Sequence, residues 1–154
     1  MNGLHTADKN PIVLLVEDDD VYRELIHRLL DDHFEVVDAS TGDQALALLG
    51  TTVPDCVLLD YRLPDYSGLE LLPQFIERGL AVVMMTAEGS EDVAVKALKC
   101  GSHDYLVKRS LTQELLTRTI GSSIELNLLQ RQLATQQQEL QSFVASASHD
   151  LKGP

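Results

Sequence analysis

The chain has 154 residues, 44% of them apolar, with 12 basic and 24 acidic side chains and a formal net charge of −12. The length suits one domain with an extension, and the apolar share is enough for a core. The negative charge argues against a nucleic acid or an anionic membrane surface as the main partner. Cys56 and Cys100 lack ligand-like spacing, so neither a disulfide nor a zinc site is expected, and a reducing compartment fits.

Residues 1–10 are polar and read as a disordered leader. No signal-peptide core and no run of transmembrane length appear after them, so a soluble, cytoplasmic chain is expected. "PIVLLV" (11–16) is a continuous apolar run suited to a buried parallel strand. "DVYRELIHRLLDD" has helical spacing at Val21, Leu25, Ile26 and Leu29. "FEVVDA" (34–39) reads as a second strand, and "TGDQALALLG" (41–50) as a short helix closed by Gly50. "CVLLD" (56–60) is the third strand. "SGLELLPQFIERG" is a helix interrupted near its start by Pro73. "AVVMMTA" (81–87) is the fourth strand, and "SEDVAVKALKCG" a helix with Ser90 as N-cap and Gly101 as its stop. "DYLVK" (104–108) is the fifth strand, with Ser110 placed to cap the last helix. This alternation predicts an α/β fold with a mainly parallel sheet and right-handed crossovers.

From Leu111 to Lys152 no strand or proline intervenes, and Gly121 is the one weak point, worth ~1 kcal/mol against alanine. Such a helix is too long for a small sheet. Leu126, Leu129, Leu133, Gln136, Leu140, Phe143 and Ala147 follow a heptad spacing. Packing along a domain face is one reading; a coiled-coil dimer is preferred, because the other faces are rich in Gln, Arg, Ser and Glu.

In an open parallel sheet, ligands sit beyond the carboxyl ends of the strands. Glu17 and Asp18 follow the first strand, Asp60 ends the third, Thr86 the fourth and Lys108 the fifth. Clustered carboxylates repel one another and need a cation, and hard oxygens with room for water suit Mg²⁺. Asp60 is a competent nucleophile toward phosphorus, with Mg²⁺ and Lys108 to offset phosphoryl charge and Thr86 to donate its hydroxyl.

The strings "LLVEDD", "LLDYRLPDYSGLELL", "VVMMTA" and "GSHDYLVK" together resemble the receiver domain of two-component signalling, from about Ile12 to Thr119. The resemblance implies a flavodoxin-like, doubly wound five-stranded parallel sheet in the order 2-1-3-4-5, its last helix extended into a coiled coil. It implies Asp60 as phosphoacceptor and Glu17, Asp18, Asp60 and the Tyr61 backbone carbonyl as Mg²⁺ ligands. Thr86 and Tyr105 would be the switch pair, and Lys108 the phosphate-binding cation. A histidine kinase or phosphotransfer protein would be the phosphodonor. Arg109 stands where the family often has proline, which leaves the geometry of the Lys108–Arg109 bond open. Arg62 and Glu88 are expected to face each other across the pocket mouth and screen attacking water.

"FVASASHDLKGP" (143–154) resembles the phosphoacceptor box in the dimerisation helix of histidine kinases, which implies His149 as a second phosphoacceptor, Asp150 as its orienting acid and a kink at Pro154. The expected organisation is a leader (1–10), a receiver (11–120), a coiled-coil linker (121–142) forming a parallel homodimer, and the start of a kinase dimerisation domain (143–154). The chain is then the front of a receiver-first histidine kinase whose activity Asp60 phosphorylation regulates. Without an ATP-binding region in this sequence, it only accepts and loses phosphate. Three rivals are a stand-alone response regulator acting by phosphorylation-dependent binding, a Mg²⁺-dependent phosphatase-like enzyme, and a pseudo-receiver serving only dimerisation.

Overall fold

Five short runs become strands: β1 (Ile12–Val16), β2 (Glu35–Ala39), β3 (Cys56–Asp60), β4 (Ala81–Thr86) and β5 (Asp104–Val107), of which the inner β3 and β4 are buried on both faces and the edge strands β2 and β5 only in part. The computed structural model describes residues 9–87 and 91–151. All strand pairings are parallel, in the order β2-β1-β3-β4-β5. Five helices alternate with and follow the strands: α1 (Asp20–Leu30), α2 (Gly42–Leu48), α3 (Gly68–Glu77), α4 (Glu91–Lys99) and α5 (Gln113–Leu151).

Strand periodicity divides the interior into two cores. Val13, Leu15, Cys56, Leu58, Val83 and Met85 meet Ile26 and Leu30 of α1 and Leu116 and Ile120 of α5. Leu14, Val16, Val57, Leu59, Val82 and Met84 meet Ala45, Leu71, Leu72, Phe75 and Ala97 of the other three helices. Alternate residues of one strand thus serve opposite faces, and the sheet is doubly wound as expected. Cys56 is buried in the first core, and desolvation pushes its thiol up, which leaves it inert.

Local chemistry departs from the sequence reading at two helices. Pro73 does not interrupt α3, which runs through it to Glu77. Proline there forgoes the bond its N–H would have made to the preceding turn, and the helix continues past its ring. A capping box between Ser67 and Glu70 secures the start of the helix, and Gly79, at φ 75°, follows its end. Thr112, not Ser110, caps α5: its hydroxyl accepts the Leu115 N–H at 3.1 Å. Ser110 instead ends a short 3₁₀ turn beginning at Lys108. Peptide bonds among the described residues are trans, Lys108–Arg109 included. Ser90 lies outside the described residues.

Helix α5 has 39 residues. It packs on the sheet through Leu116, Thr119, Ile120 and Ser123. One turn on, Asn127 Nδ2 donates to the Gly79 carbonyl at 2.9 Å, and His103 Nε2 lies 3.1 Å from Gln130 Oε1. Beyond Arg131 nearly every residue is exposed. No helix among the described residues is long and apolar enough to cross a membrane.

Candidate functional site: the acidic pocket at the carboxyl edge of the sheet

Register brings the polar residues together. Val16 pairs with Leu59, so Glu17 falls beside Asp60. Asp60 pairs with Met85 and Thr86 with Val107, so Thr86 and Lys108 each stand one step farther along. Glu17, Asp60, Thr86 and Lys108 are buried, while Asp18 is exposed. They line a pocket of about 590 Å³ together with Arg62, Ala87 and Val93.

Lys108 is the buried cation of this pocket. Its Nζ lies 2.5 Å from Glu17 Oε1 and 3.1 Å from Asp60 Oδ2. Burial opposes the charge on Lys108, yet the contacts with Glu17 and Asp60 outweigh it and raise the ammonium above its ordinary value. Glu17 is pushed up to about 7, chiefly by burial and then by Asp60, with Lys108 opposing. Its Oε1, close as it is to Nζ, makes no well-directed hydrogen bond.

The run Glu17 to Asp20 divides its work. Asp19 caps α1, accepting the N–H of Val21 at 2.8 Å and of Tyr22 at 3.4 Å. Asp20 pairs with Arg23, whose Nη1 donates to the Glu17 carbonyl at 2.6 Å. Glu17 and Asp18 remain to join Asp60, and ligand oxygens of these three lie within 4.8 Å of one another. The donor set fits Mg²⁺: three carboxyl groups converge beside a single ammonium, with a buried Glu17 oxygen lacking a directed donor.

The Tyr61 carbonyl, expected among the Mg²⁺ ligands, is hydrogen-bonded within the loop. It accepts the Gly68 N–H at 2.7 Å, and Leu63 N–H donates to the Tyr66 carbonyl at 3.2 Å, which closes an antiparallel bridge between Arg62 and Ser67. In an extended strand, the N–H and C=O of one residue share a side, and its neighbours point the other way. The Arg62 N–H points toward Asp60 Oδ1, at 3.4 Å, so the Arg62 carbonyl is the one on the carboxylate side.

Tyr105 lies on the edge strand β5, partly exposed, outside the pocket lining. Arg62 is exposed at the pocket mouth; Glu88, its expected counterpart, lies outside the described residues. His149 and Asp150 are exposed at the far end of α5, while Lys152 and Pro154 lie outside the described residues. The loop after β3 holds a brace the sequence reading missed. Asp65 accepts the N–H of Gly42 at 2.9 Å and of Asp43 at 3.0 Å, and the Tyr66 hydroxyl donates to Asp43 at 3.0 Å. "PDYSG" signals a turn, but nothing local in it shows that its acid reaches the start of α2.

The chain is thus a doubly wound parallel sheet with three acids, a hydroxyl and a lysine gathered at its carboxyl edge. The response regulator receiver domain matches residues 13–120, and the chain belongs to that family. It is 36% identical over 111 residues to the phosphate regulon transcriptional regulatory protein PhoB of Klebsiella pneumoniae, covering 69% of this chain and 48% of that protein. It is 41% identical over 108 residues to the transcriptional regulatory protein CpxR of Klebsiella pneumoniae subsp. pneumoniae, covering 69% and 46%. A response regulator receiver domain protein of Clostridium thermocellum superposes with a TM-score of 0.69 at 28% identity, covering 77% of this chain and 98% of that one. The chain spans about half the length of the curated relatives it matches.

Proposed function

We propose that this chain is a Mg²⁺-dependent aspartyl phosphoacceptor that acts as a response regulator, with Asp60 taking a phosphoryl group from a histidine kinase or phosphotransfer protein. The observation that carries the reading is the buried contact of Lys108 Nζ with Asp60 Oδ2 at 3.1 Å, in a pocket where Glu17 and Asp18 also converge. Glu17, Asp18, Asp60 and the Arg62 carbonyl would hold Mg²⁺. When bound, the ion offsets charge on the phosphoryl oxygens. An ionised Asp60 oxygen forms the new O–P bond as the donor's P–N bond breaks, and the donor imidazole keeps the bonding pair. Lys108 follows the charge from the carboxylate to a phosphoryl oxygen, and Thr86 turns its hydroxyl toward another. Tyr105 then has room to turn inward, and the repacked surface recruits or releases a partner.

The test is label transfer from a small acyl phosphate with Mg²⁺. Wild type is expected to take up acid-stable, hydroxylamine-labile phosphate, with none on Asp60→Asn and none after chelation. Label that persists on Asp60→Asn would refute the assignment.

Between a response regulator and the receiver of an attached kinase, the similarity to named transcriptional regulators favours the response regulator. The kinase reading retains one supporting feature: "SHD" on an exposed, uninterrupted helix. From Thr119, buried on the sheet, to His149 the helix spans about 45 Å at 1.5 Å per residue. His149 therefore does not meet Asp60 of its own chain while α5 is intact, and any exchange between them runs between molecules. The exposed heptad seam supports a parallel coiled-coil dimer, for which light scattering should return twice the chain mass. A monomer at high concentration would remove that part of the proposal.

A further inference from the structure

Lys108 is approached from three sides, and only two of them are anionic. The third is Tyr22, whose ring centroid lies 4.8 Å from Nζ. Its place is set by the turn that delivers the acids. Asp19 caps α1 and accepts the N–H of Tyr22 itself, while Arg23 ties the same turn to the Glu17 carbonyl. The ring is half-buried, so bulk water does not fully screen it from the ammonium.

A ring face attracts an ammonium without carrying a charge of its own. That distinction matters because Lys108 must release Asp60 when the carboxylate becomes an acyl phosphate. A third anion at this position would hold the ammonium back, whereas an aliphatic side chain would give it no attraction on this side and leave its place to Glu17, 2.5 Å away, and Asp60, 3.1 Å away. We propose that Tyr22 is a positioning residue for phosphoryl transfer, its ring holding the Lys108 ammonium between Glu17 and Asp60 without competing for the phosphoryl oxygens. The proposal rests on Asp60 being the phosphoacceptor.

The experiment measures the rate of label uptake from a small acyl phosphate with Mg²⁺ in wild type, Tyr22→Phe and Tyr22→Leu. The two Tyr22 variants are repeated in a Lys108→Gln background, at donor concentrations high enough to label it. Leucine should slow uptake about tenfold and phenylalanine by no more than about twofold, since the ring supplies the attraction. In the Lys108→Gln background, Tyr22→Leu should cost nothing further, because there is no ammonium to place. A purely structural ring would instead slow both backgrounds equally, and that result, or an unchanged rate in Tyr22→Leu, overturns the proposal. Failure of wild type to label, or label on Asp60→Asn, is a separate outcome: it removes the phosphoacceptor reading and this inference with it.

Discussion

Helix α5 is two helices in one, divided at Arg131. Up to that point it belongs to the body: Leu116, Thr119, Ile120, Ser123 and Asn127 recur at the period of an α-helix lying on a sheet. Beyond it, Leu133, Leu140, Phe143, Val144 and Leu151 are exposed, Phe143 at 70%. The heptad seam starts at Leu126, before the first stripe has ended, so the apolar face turns away from the sheet while the backbone continues unbroken. One continuous helix thus carries two addresses, one inside the domain and one outside it.

The largest expected contrast comes from truncating one residue in each half. Ile120→Ala removes a fully buried side chain and should cost about 2–5 kcal/mol of unfolding free energy. Leu140→Ala, in chains diluted enough to stay apart, should change it by no more than about 0.5 kcal/mol. Urea titrations followed by tyrosine fluorescence give both values. Equal losses would mean that the outer half is packed on something within its own chain.

Next in size is Gly68→Ala. A Cβ there would sit 2.5 Å from the Asp60 carbonyl oxygen and 3.0 Å from the Met84 sulfur. The clash is with backbone, which cannot swing aside, so a loss of about 1–3 kcal/mol is expected. It should also slow phosphate uptake, because the displaced backbone belongs to Asp60, the proposed phosphoacceptor. Normal uptake would show that the strand end tolerates movement and that the pocket is less rigidly held than the body's packing implies.

Much of this was legible in the sequence, for identifiable reasons. Strands buried on both faces leave continuous apolar runs, and a ligand edge leaves a polar residue where each run stops; Asp60, Thr86 and Lys108 are read that way. The resemblance singles out Glu17 and Asp18 over Asp19, but the physical reason, that Asp19 is occupied in capping α1, appears only in the fold. The hydrogen bond of the Tyr61 carbonyl to Gly68 was not legible, because backbone direction in the loop follows from the Arg62–Ser67 bridge, a pairing no local pattern announces. Tyr22 went unread because helical spacing cannot show that its ring meets a lysine more than eighty residues away. The two periods of α5 overlap in sequence, so the end of its contact with the body became visible only in the fold.

A smaller effect tests the last contact before α5 leaves the body. His103 Nδ1 accepts the Val82 N–H at 3.1 Å, a bond only the unprotonated nitrogen can make, while Nε2 meets Gln130 of α5. Burial above all lowers the imidazole from its ordinary 6.5. Below 6.5 the unfolded chain takes a proton that the folded chain resists, so this contribution is complete above 6.5 and declines as pH falls toward the folded value. The difference in urea midpoint between about pH 7.5 and about pH 5.5 should shrink in His103→Asn relative to wild type. An unchanged difference would separate His103 from the anchoring of α5.

The smallest expected effect places the same substitution in the other setting. Gly121 lies on the exposed side of α5, with nothing within 4 Å of the position a Cβ would take. Alanine there restricts the unfolded chain and clashes with nothing, so Gly121→Ala should stabilise by roughly 0.5–1 kcal/mol. Gly68→Ala and Gly121→Ala then have opposite signs for one chemical change, and the sign is decided by what surrounds each glycine. Because Gly121 sits just after Ile120, where α5 still grips the sheet, the gain should appear in the urea titration of the body, with phosphate uptake unchanged. A loss of stability, or a gain accompanied by slower uptake, would show that α5 must bend at Gly121 for the pocket to work. The helix would then be a hinge between its two halves rather than a rigid rod.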